Sequence, residues 1–322
     1  MRVQALHVRT YGISMTAPRT LVVALDFSPG SRAALRCAAD LATRSGATLH
    51  LLHADVLFRS SGDGAPPDGV PSSTLRVRIE RFATDELGSL TGRDTKIAVV
   101  RDVNPSSAIL RYAAEVDADL LVMGTHGRSG LSRLLMGSVA GTCVASAPCP
   151  VLTVPFETSA LDSAAPILVA IDFSERSGVA LKAGHALAAL YGSEVELVHV
   201  VRDSGPYPGF APNILSLVDY DPAQGEAVQE RMKRFVERMD GPDPSAYHVA
   251  IGSPSRVIPA LASEQGAGAI VMGTHGRQGV AHALIGSVAE ATLRRSTCPV
   301  LTLKEIHRQK ADVPSVGSAI PS

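Results

Sequence analysis

The sequence predicts an α/β protein with two tandem doubly wound domains, each built on a five-stranded parallel sheet. First, the 322-residue chain is an internal duplication, because LVVALDFS at 21–28 returns as ILVAIDFS at 167–174. Second, each half alternates short apolar runs with stretches of helical periodicity, which is typical of parallel sheets with right-handed crossovers. Third, one glycine motif follows the fourth strand of both halves. A period near 150 residues indicates whole domains rather than a solenoid of short repeats.

The elements of the first half follow from apolar runs and from helix start and stop signals. Short apolar runs are expected of strands buried on both faces. Pro29 suits a first helical turn, and Gly46 suits a helix end. The predicted strands are Leu21–Asp26, Thr48–Ala54, Lys96–Arg101, Asp119–Gly124 and Val151–Val154, and the predicted helices are Ser31–Arg44, Leu75–Leu90, Pro105–Val116 and Ser138–Ser146.

The second half repeats this order. Residues 59–73 and 203–219 are rich in glycine, proline, serine and aspartate, and we predict loops there. The predicted strands are Ile167–Asp172, Glu194–Val200, Ala246–Ile251, Ala269–Gly273 and Val300–Leu303. The predicted organisation is an N-terminal extension (1–18), a first domain (19–155), a linker (156–166), a second domain (167–305) and a polar tail (306–322).

The composition excludes several classes of partner. The formal net charge is −1, which gives no electrostatic basis for binding nucleic acid or an anionic membrane. No apolar run approaches the ~20 residues of a membrane span. The first twenty residues lack a continuous apolar segment, so we predict a cytoplasmic protein without a secretory signal. The cysteines show no CxxC spacing and are interpreted as small buried residues: Cys37, Cys143, Cys149 and Cys298.

The glycine motif predicts an anion cradle in each half. Gly124-Thr125-His126-Gly127 is followed by nine residues and Gly137-Ser138, and Gly273-Thr274-His275-Gly276 by nine residues and Gly286-Ser287. Glycine lets backbone approach a phosphate closely. A helix that starts at the Gly-Ser step offers free N–H groups and a positive dipole end. The serine is predicted either to cap this helix or to donate to a phosphate oxygen, and Arg128 and Arg277 add positive charge.

Asp26 and Asp172 end the first predicted strand of each half. A carboxylate there accepts hydrogen bonds from ribose hydroxyls or an adenine amine, and the alternative is a helix N-cap. His126 and His275 lie between the glycines, but no nucleophile with an orienting carboxylate accompanies them, so we predict no catalytic residue. His50 and His53 are three apart on a strand, which sends them to opposite faces. We therefore predict no metal site.

Two nucleotide motifs are missing from the sequence. It contains neither a GxxxxGK[ST] phosphate loop nor a GxGxxG dinucleotide fingerprint. No pair of carboxylates suits phosphoryl transfer. The predicted site is therefore one that holds a nucleotide rather than one that turns it over.

These residues resemble the universal stress protein family in its tandem form, over Arg19 to Lys304. The pattern G-x-x-G-(nine)-G-[ST], after a strand ending in Val-Met-Gly and before a Cys-Pro-Val strand, is the ATP-binding pattern of one branch. The resemblance implies an adenine nucleotide α-hydrolase-like fold with strand order 3-2-1-4-5. It also implies ATP, bound together with Mg²⁺, as the ligand. The implied phosphate contacts are Gly124, Gly127, Gly137, Ser138, Val139, Gly273, Gly276, Gly286, Ser287 and Val288. The implied adenine and ribose contacts are Asp26, Ala54, Asp172 and Val200.

The two halves differ at one step of the family pattern. The second half has Gly252-Ser253-Pro254 after its third strand, where the first half has Val103-Asn104-Pro105. The family also commonly pairs through its fifth strands. We therefore expect the two halves to pack that way, with a homodimer of the tandem chain as the higher assembly.

Three functions are compatible with this sequence. The first is an ATP-binding regulator in a stress or dormancy response, with one site per domain. The second is a slow ATPase or nucleotide-transfer enzyme, and the third is a nucleotide-free interaction scaffold. Nucleotide retained through purification separates the third from the others. A turnover assay separates the first two, with less than ~1 turnover per second expected of the regulator.

Overall fold

The computed structural model describes residues 18–56, 70–125, 136–158, 161–202, 215–274 and 285–304. Strands and helices alternate through both halves, as predicted. The first half contains β1 (Thr20–Ala24), α1 (Pro29–Ser45), β2 (Thr48–Val56), α2 (Ser72–Leu87), β3 (Thr95–Asp102), α3 (Pro105–Glu115), β4 (Leu120–Gly124), α4 (Ser138–Ser146) and β5 (Val151–Val154). The second half contains β6 (Ile167–Ala170), α5 (Glu175–Tyr191), β7 (Val195–Val201), β8 (Leu215–Ser216), α6 (Leu217–Tyr220), α7 (Pro222–Arg238), β9 (Ala246–Ile251), α8 (Pro254–Glu264), β10 (Ala269–Gly273), α9 (Ser287–Arg295) and β11 (Val300–Leu303).

All the described strands form one sheet of eleven, in the order β3-β2-β1-β4-β5-β11-β10-β6-β7-β9-β8. Each half contributes five parallel strands in the order 3-2-1-4-5, which confirms the predicted topology. The second half departs from the prediction of five strands, because β8 adds an antiparallel strand outside β9. The strand β8 lies inside residues 203–219, which were predicted as a loop, and the one-turn helix α6 begins there.

The two halves join through their fifth strands. Strand β5 pairs antiparallel with β11, and Leu152 lies opposite Leu301. This confirms the expectation that an exposed apolar fifth strand would be covered by its repeat. Because the junction is antiparallel, the carboxyl ends of the two sets of parallel strands lie at opposite edges of the sheet. Any ligand site at those ends is therefore separated from its counterpart by the full height of the sheet.

The helices cover both faces of the sheet, and each apolar layer crosses the junction. Helices α1, α2, α5 and α7 share one layer of buried residues, which includes Leu152 and Leu301. Helices α3, α4, α8 and α9 share the other, which includes Val151 and Val300. The halves thus share their cores as well as their sheet. None of the helices that the structure describes is long and apolar enough to cross a membrane.

Polar contacts also cross the junction. The Thr153 hydroxyl donates to the carbonyl of Val300 at 3.3 Å, and the Thr302 hydroxyl donates to the carbonyl of Val151 at 3.1 Å. Between α1 and α5, the Tyr191 hydroxyl donates to the Asp40 carboxylate at 2.6 Å. Burial and this carboxylate together raise the pKa of Tyr191, so the phenol stays a donor at neutral pH.

The cysteines are free thiols, as predicted. Cys37, Cys143 and Cys149 are buried, and burial raises the pKa of each thiol to about 12. Cys298 is half-buried, and burial raises its pKa as well. Thiols that stay protonated at neutral pH are poor nucleophiles, so these four residues serve packing.

Candidate functional site

In each half, hydrogen bonds bring the fourth strand and the following helix together at the carboxyl edge. In the first half, the Gly137 N–H donates to the carbonyl of Thr125 at 2.9 Å, and the Thr125 N–H donates to the carbonyl of Val154 at 3.1 Å. In the second half, the Gly286 N–H donates to the carbonyl of Thr274 at 2.9 Å. The start of α4 or α9 is therefore tied to the end of the strand from which the glycine motif departs.

Glycine occupies the N-cap position of both helices. Gly137 has φ −59° and ψ 142°, and Gly286 has φ −62° and ψ 144°. Neither helix start receives a side-chain cap from the part of the chain that the structure describes. The predicted capping role of Ser138 and Ser287 is thus wrong, because each serine is the first helical residue. Both serines are exposed, and their hydroxyls remain available to a ligand.

Gly124 has a structural role besides any role in binding. A Cβ placed on it would lie 2.7 Å from the carbonyl carbon of Gly30 and 2.9 Å from its oxygen. Gly30 is in the first turn of α1, so the end of β4 and the start of α1 touch backbone to backbone. The sequence predicted that this glycine serves a ligand. The structure shows that the missing side chain allows a helix to approach the strand.

Gly124→Ala is expected to lower the free energy of unfolding by about 1–3 kcal/mol, because the added methyl meets backbone that cannot move aside. Gly241→Ala is the matched control, since a Cβ there meets its nearest side-chain atom at an ordinary 3.5 Å. Denaturant unfolding of both variants without ligand measures the difference. Wild-type stability in Gly124→Ala would show that the glycine serves a ligand alone.

Asp26 and Asp172 lie two residues beyond their strands, since β1 ends at Ala24 and β6 at Ala170. The alternative role as helix N-cap is wrong, because Ser28 and Ser174 hold that position. Each aspartate instead accepts a hydrogen bond from the serine N–H two residues ahead, at 3.0 Å and 3.1 Å. These bonds fix the carboxylate beside the start of the helix.

Asp172 is held more firmly than this single bond implies. Its Oδ1 also accepts from the Ser174 hydroxyl at 2.5 Å and the Ser177 hydroxyl at 2.6 Å. In the first half, the Ser31 hydroxyl donates to the carbonyl of Ser28 at 3.0 Å instead. Two further hydroxyl donors therefore orient the carboxylate of the second half.

Ala54 and Val200 lie near the ends of β2 and β7, beside the aspartates. The Leu25 N–H donates to the carbonyl of Leu52 at 2.8 Å, and the Ile171 N–H donates to the carbonyl of Val198 at 2.9 Å. These bonds hold the chain just before each aspartate against the neighbouring strand, β2 or β7. Val139 and Val288 are half-buried in the first turn of α4 and α9. The described members of the predicted set thus lie around one carboxyl edge in each half.

The outer walls of the two edges differ in charge. In the first half, Arg101 pairs with Asp55 at 3.2 Å, and Arg111 pairs with Asp102 at 2.7 Å. The pKa of Asp102 is lowered, mainly because its carboxylate accepts a hydrogen bond from the backbone N–H of Asn104. Burial opposes this shift, and Arg111 adds to it. By strand register, Val201 and Ile251 occupy the places of Asp55 and Arg101, so the ion pair between these two strands has no counterpart in the second half. Arg202, which follows Val201, is exposed.

Gly252 confirms the expected difference between the halves after the third strand. Its φ of +133° lies in a region that only glycine adopts readily. In the first half, the chain instead passes through Val103, which is 63% exposed, to Asn104, whose side chain accepts from the Ser106 N–H. At this step the second half therefore has bare backbone at Gly252, where the first half has the side chain of Val103.

Several predicted site residues lie outside the described ranges. These are Gly127, Gly276, His126, His275, Arg128 and Arg277. His50 and His53 face opposite sides of the sheet, as predicted: His50 bonds the Tyr112 hydroxyl at 2.9 Å and His53 bonds the Leu25 carbonyl at 2.7 Å. Within the described ranges, no three His, Cys, Asp or Glu side chains form a metal-binding group.

One feature of this edge was not predicted from sequence. The residue after each aspartate, Phe27 or Phe173, has a left-handed backbone with φ +67°. A histidine from the neighbouring strand packs on each ring. The available signal was the repetition of Phe at 27 and 173 and of His at 53 and 199, at one common offset.

Comparison with known proteins places the chain in a family. The sequence model of the universal stress protein family matches residues 18–155 and again 164–304. The chain belongs to the universal stress protein family. A universal stress protein of Mycobacterium tuberculosis is 29% identical over 309 residues, which cover 90% of this chain and all of that protein. Universal stress protein E of Photorhabdus laumondii is 26% identical, over 89% of this chain and 95% of its own length.

A solved structure shows the same fold. The crystal structure of a universal stress protein from Archaeoglobus fulgidus superposes with a TM-score of 0.60, at 21% identity, over 89% of this chain and 98% of that one. The family predicted from the glycine motif is thereby confirmed, and so is its tandem arrangement.

Proposed function

We propose that this universal stress protein binds one ATP at the carboxyl edge of each half and acts as a nucleotide-dependent regulator in a stress or dormancy response. The observation that carries the proposal is the repeated start of α4 and α9. Both helices begin at a glycine that is hydrogen-bonded to the end of the preceding strand and that receives no side-chain cap from the described residues. Unpaired N–H groups and the positive end of a helix dipole at a fixed position form an anion site.

The ligand occupies the edge with its phosphates toward these helices and its nucleoside toward the first two strands. In the first half the phosphates contact Gly124, Gly127, Gly137, Ser138 and Val139, and the nucleoside contacts Asp26 and Ala54. In the second half the phosphates contact Gly273, Gly276, Gly286, Ser287 and Val288, and the nucleoside contacts Asp172 and Val200. Mg²⁺ would be held by the phosphate oxygens of ATP and by water.

The ligand extracted from purified protein tests this function. Denaturation releases what the chain has carried through purification, and mass spectrometry identifies it. We expect an adenine nucleotide, with ATP as the main species. Protein that contains no nucleotide and shows no ATP binding in titration calorimetry would favour the interaction scaffold.

The second site is expected to bind ATP more tightly than the first, by about 1 kcal/mol or roughly fivefold. Bare backbone at Gly252 and the neutral Val201 and Ile251 leave room for a base, whereas the first wall holds two ion pairs. Gly137→Asp and Gly286→Asp block one cradle each, so titration of the two variants reports the second and the first site separately. Equal affinities would show that these walls do not set the binding energy.

A further inference from the structure

Phe27 and Phe173 adopt a backbone conformation that phenylalanine rarely tolerates. Both have φ +67°, directly after Asp26 and Asp172. For a residue with a bulky side chain, this left-handed region costs about 1–2 kcal/mol. The same strained residue at the same place in both halves indicates that the surrounding structure holds it there.

A set of three side chains holds each ring. Phe27 packs on His53 with ring centroids 4.8 Å apart, and meets Phe82 edge-on at 5.3 Å. The guanidinium of Arg78 lies 4.1 Å from the centre of the Phe27 ring. Edge-on aromatic pairs and a cation over a ring each contribute about 0.5–1.5 kcal/mol, enough together to offset the strained backbone.

The second half repeats these contacts closely. Phe173 packs on His199 at 4.4 Å and meets Phe235 edge-on at 5.8 Å, and Arg231 lies 4.1 Å above its ring. The arginine and the second phenylalanine come from α2 in one half and α7 in the other. Side chains from three segments that are distant in sequence therefore converge on the same turn twice.

The histidine ties this cluster to the residue before the aspartate. His53 Nδ1 donates to the carbonyl of Leu25 at 2.7 Å, and His199 Nδ1 donates to the carbonyl of Ile171 at 2.9 Å. Each aspartate thus stands between a residue whose carbonyl is held and a phenylalanine whose ring is held. The backbone at the aspartate is therefore fixed on both sides, and the serine hydrogen bonds orient the carboxylate from that position.

We propose that Phe27 and Phe173 are positioning residues that aim Asp26 and Asp172 at the nucleoside of the bound ligand. The inference rests on the proposed nucleotide site at the same edge. The strained turn carries the carboxylate out of the strand direction, and the aromatic cluster fixes it there before a ligand arrives. A preorganised acceptor loses less freedom on binding and therefore binds more tightly.

The test is a double-mutant cycle between Phe173 and Asp172 in the Gly137→Asp background, where the second site alone binds ATP. Phe173→Ala and Asp172→Asn are each expected to weaken ATP binding about tenfold, and the double variant by the same tenfold rather than a hundredfold. Phe173→Gly is expected to lose less than Phe173→Ala, since glycine adopts the turn without strain. Phe27→Ala in the same background is the matched control, because it damages the equivalent cluster and leaves second-site affinity unchanged.

Each outcome bears on a separate claim. Additive losses in the cycle would show that Phe173 acts through the fold at large and would overturn the proposal. Unchanged affinity in Phe173→Ala, or a loss in Phe27→Ala equal to that in Phe173→Ala, would overturn it as well. An absence of ATP binding in the Gly137→Asp parent, with the same absence in the wild type, would instead overturn the nucleotide site itself.

Discussion

Gly286→Asp is expected to abolish nucleotide binding in the second half without destabilising the fold. The φ and ψ of Gly286 are those of an ordinary extended residue, so the substitution introduces no backbone strain. The new carboxylate accepts hydrogen bonds from the first N–H groups of α9, which are the groups that a phosphate needs. It also repels the phosphate. Each hydrogen bond to a charged group is worth about 1.5–3 kcal/mol, so affinity is expected to fall by at least ~30-fold.

The stability of the ligand-free Gly286→Asp protein is expected to stay the same or to rise slightly. Aspartate is a better N-cap than glycine by a few tenths of a kcal/mol, so ligand-free Gly286→Asp is expected to unfold at the wild-type temperature or slightly above it. Gly137→Asp is the matched variant of the first half. Gly286→Ala, which adds no acceptor and no charge, is the control for loss of the glycine itself. If Gly286→Asp unfolds at a lower temperature than the wild type, its loss of binding would be a consequence of a destabilised fold.

Leu301→Ala is expected to destabilise both halves although Leu301 belongs to the second. The side chain is 2% exposed, lies opposite Leu152 in the shared sheet and belongs to a core that spans both halves. Loss of such a side chain costs about 2–5 kcal/mol. Because the sheet and the core are continuous, we expect a single unfolding transition. The free energy of unfolding should therefore fall by the same amount in the first half as in the second.

Hydrogen exchange of peptides from β1 and β6 measures the two halves separately. In Leu301→Ala, faster exchange is expected in both strands, by similar factors. Val103→Ala is the control, since Val103 is exposed and its truncation is expected to leave both rates unchanged. If β1 of Leu301→Ala exchanges at the wild-type rate, the two halves would be independent domains that the β5–β11 pairing joins only weakly.

The topology could be predicted because its signals are local and repeated. Short apolar runs, helical periodicity and the duplication each indicate the same alternating order. The junction was predictable as well, since Val151–Val154 and Val300–Leu303 are apolar strands that would otherwise leave an exposed edge. The short strand Leu215–Ser216 was not, because its pairing with β9 has no counterpart in local sequence.

The candidate site was predictable in outline but not in its detailed geometry. The Gly-Ser steps do begin helices, but glycine rather than serine occupies the N-cap, and sequence alone does not distinguish these two positions. The strands end at Ala24 and Ala170 rather than at the aspartates, because the turn at Phe27 depends on contacts with residues 53, 78 and 82. Contacts between distant residues of this kind override local propensity.

The most direct test of the central claim is the number of ATP molecules bound per chain, measured by titration calorimetry on four proteins. We expect two for the wild type, one for Gly137→Asp, one for Gly286→Asp and none for the double variant. Blocking one cradle is expected to leave the affinity of the other unchanged, because the sites lie at opposite edges of the sheet. Full stoichiometry in the double variant, or a wild type that binds no ATP, would contradict the assignment of these helix starts as the nucleotide sites.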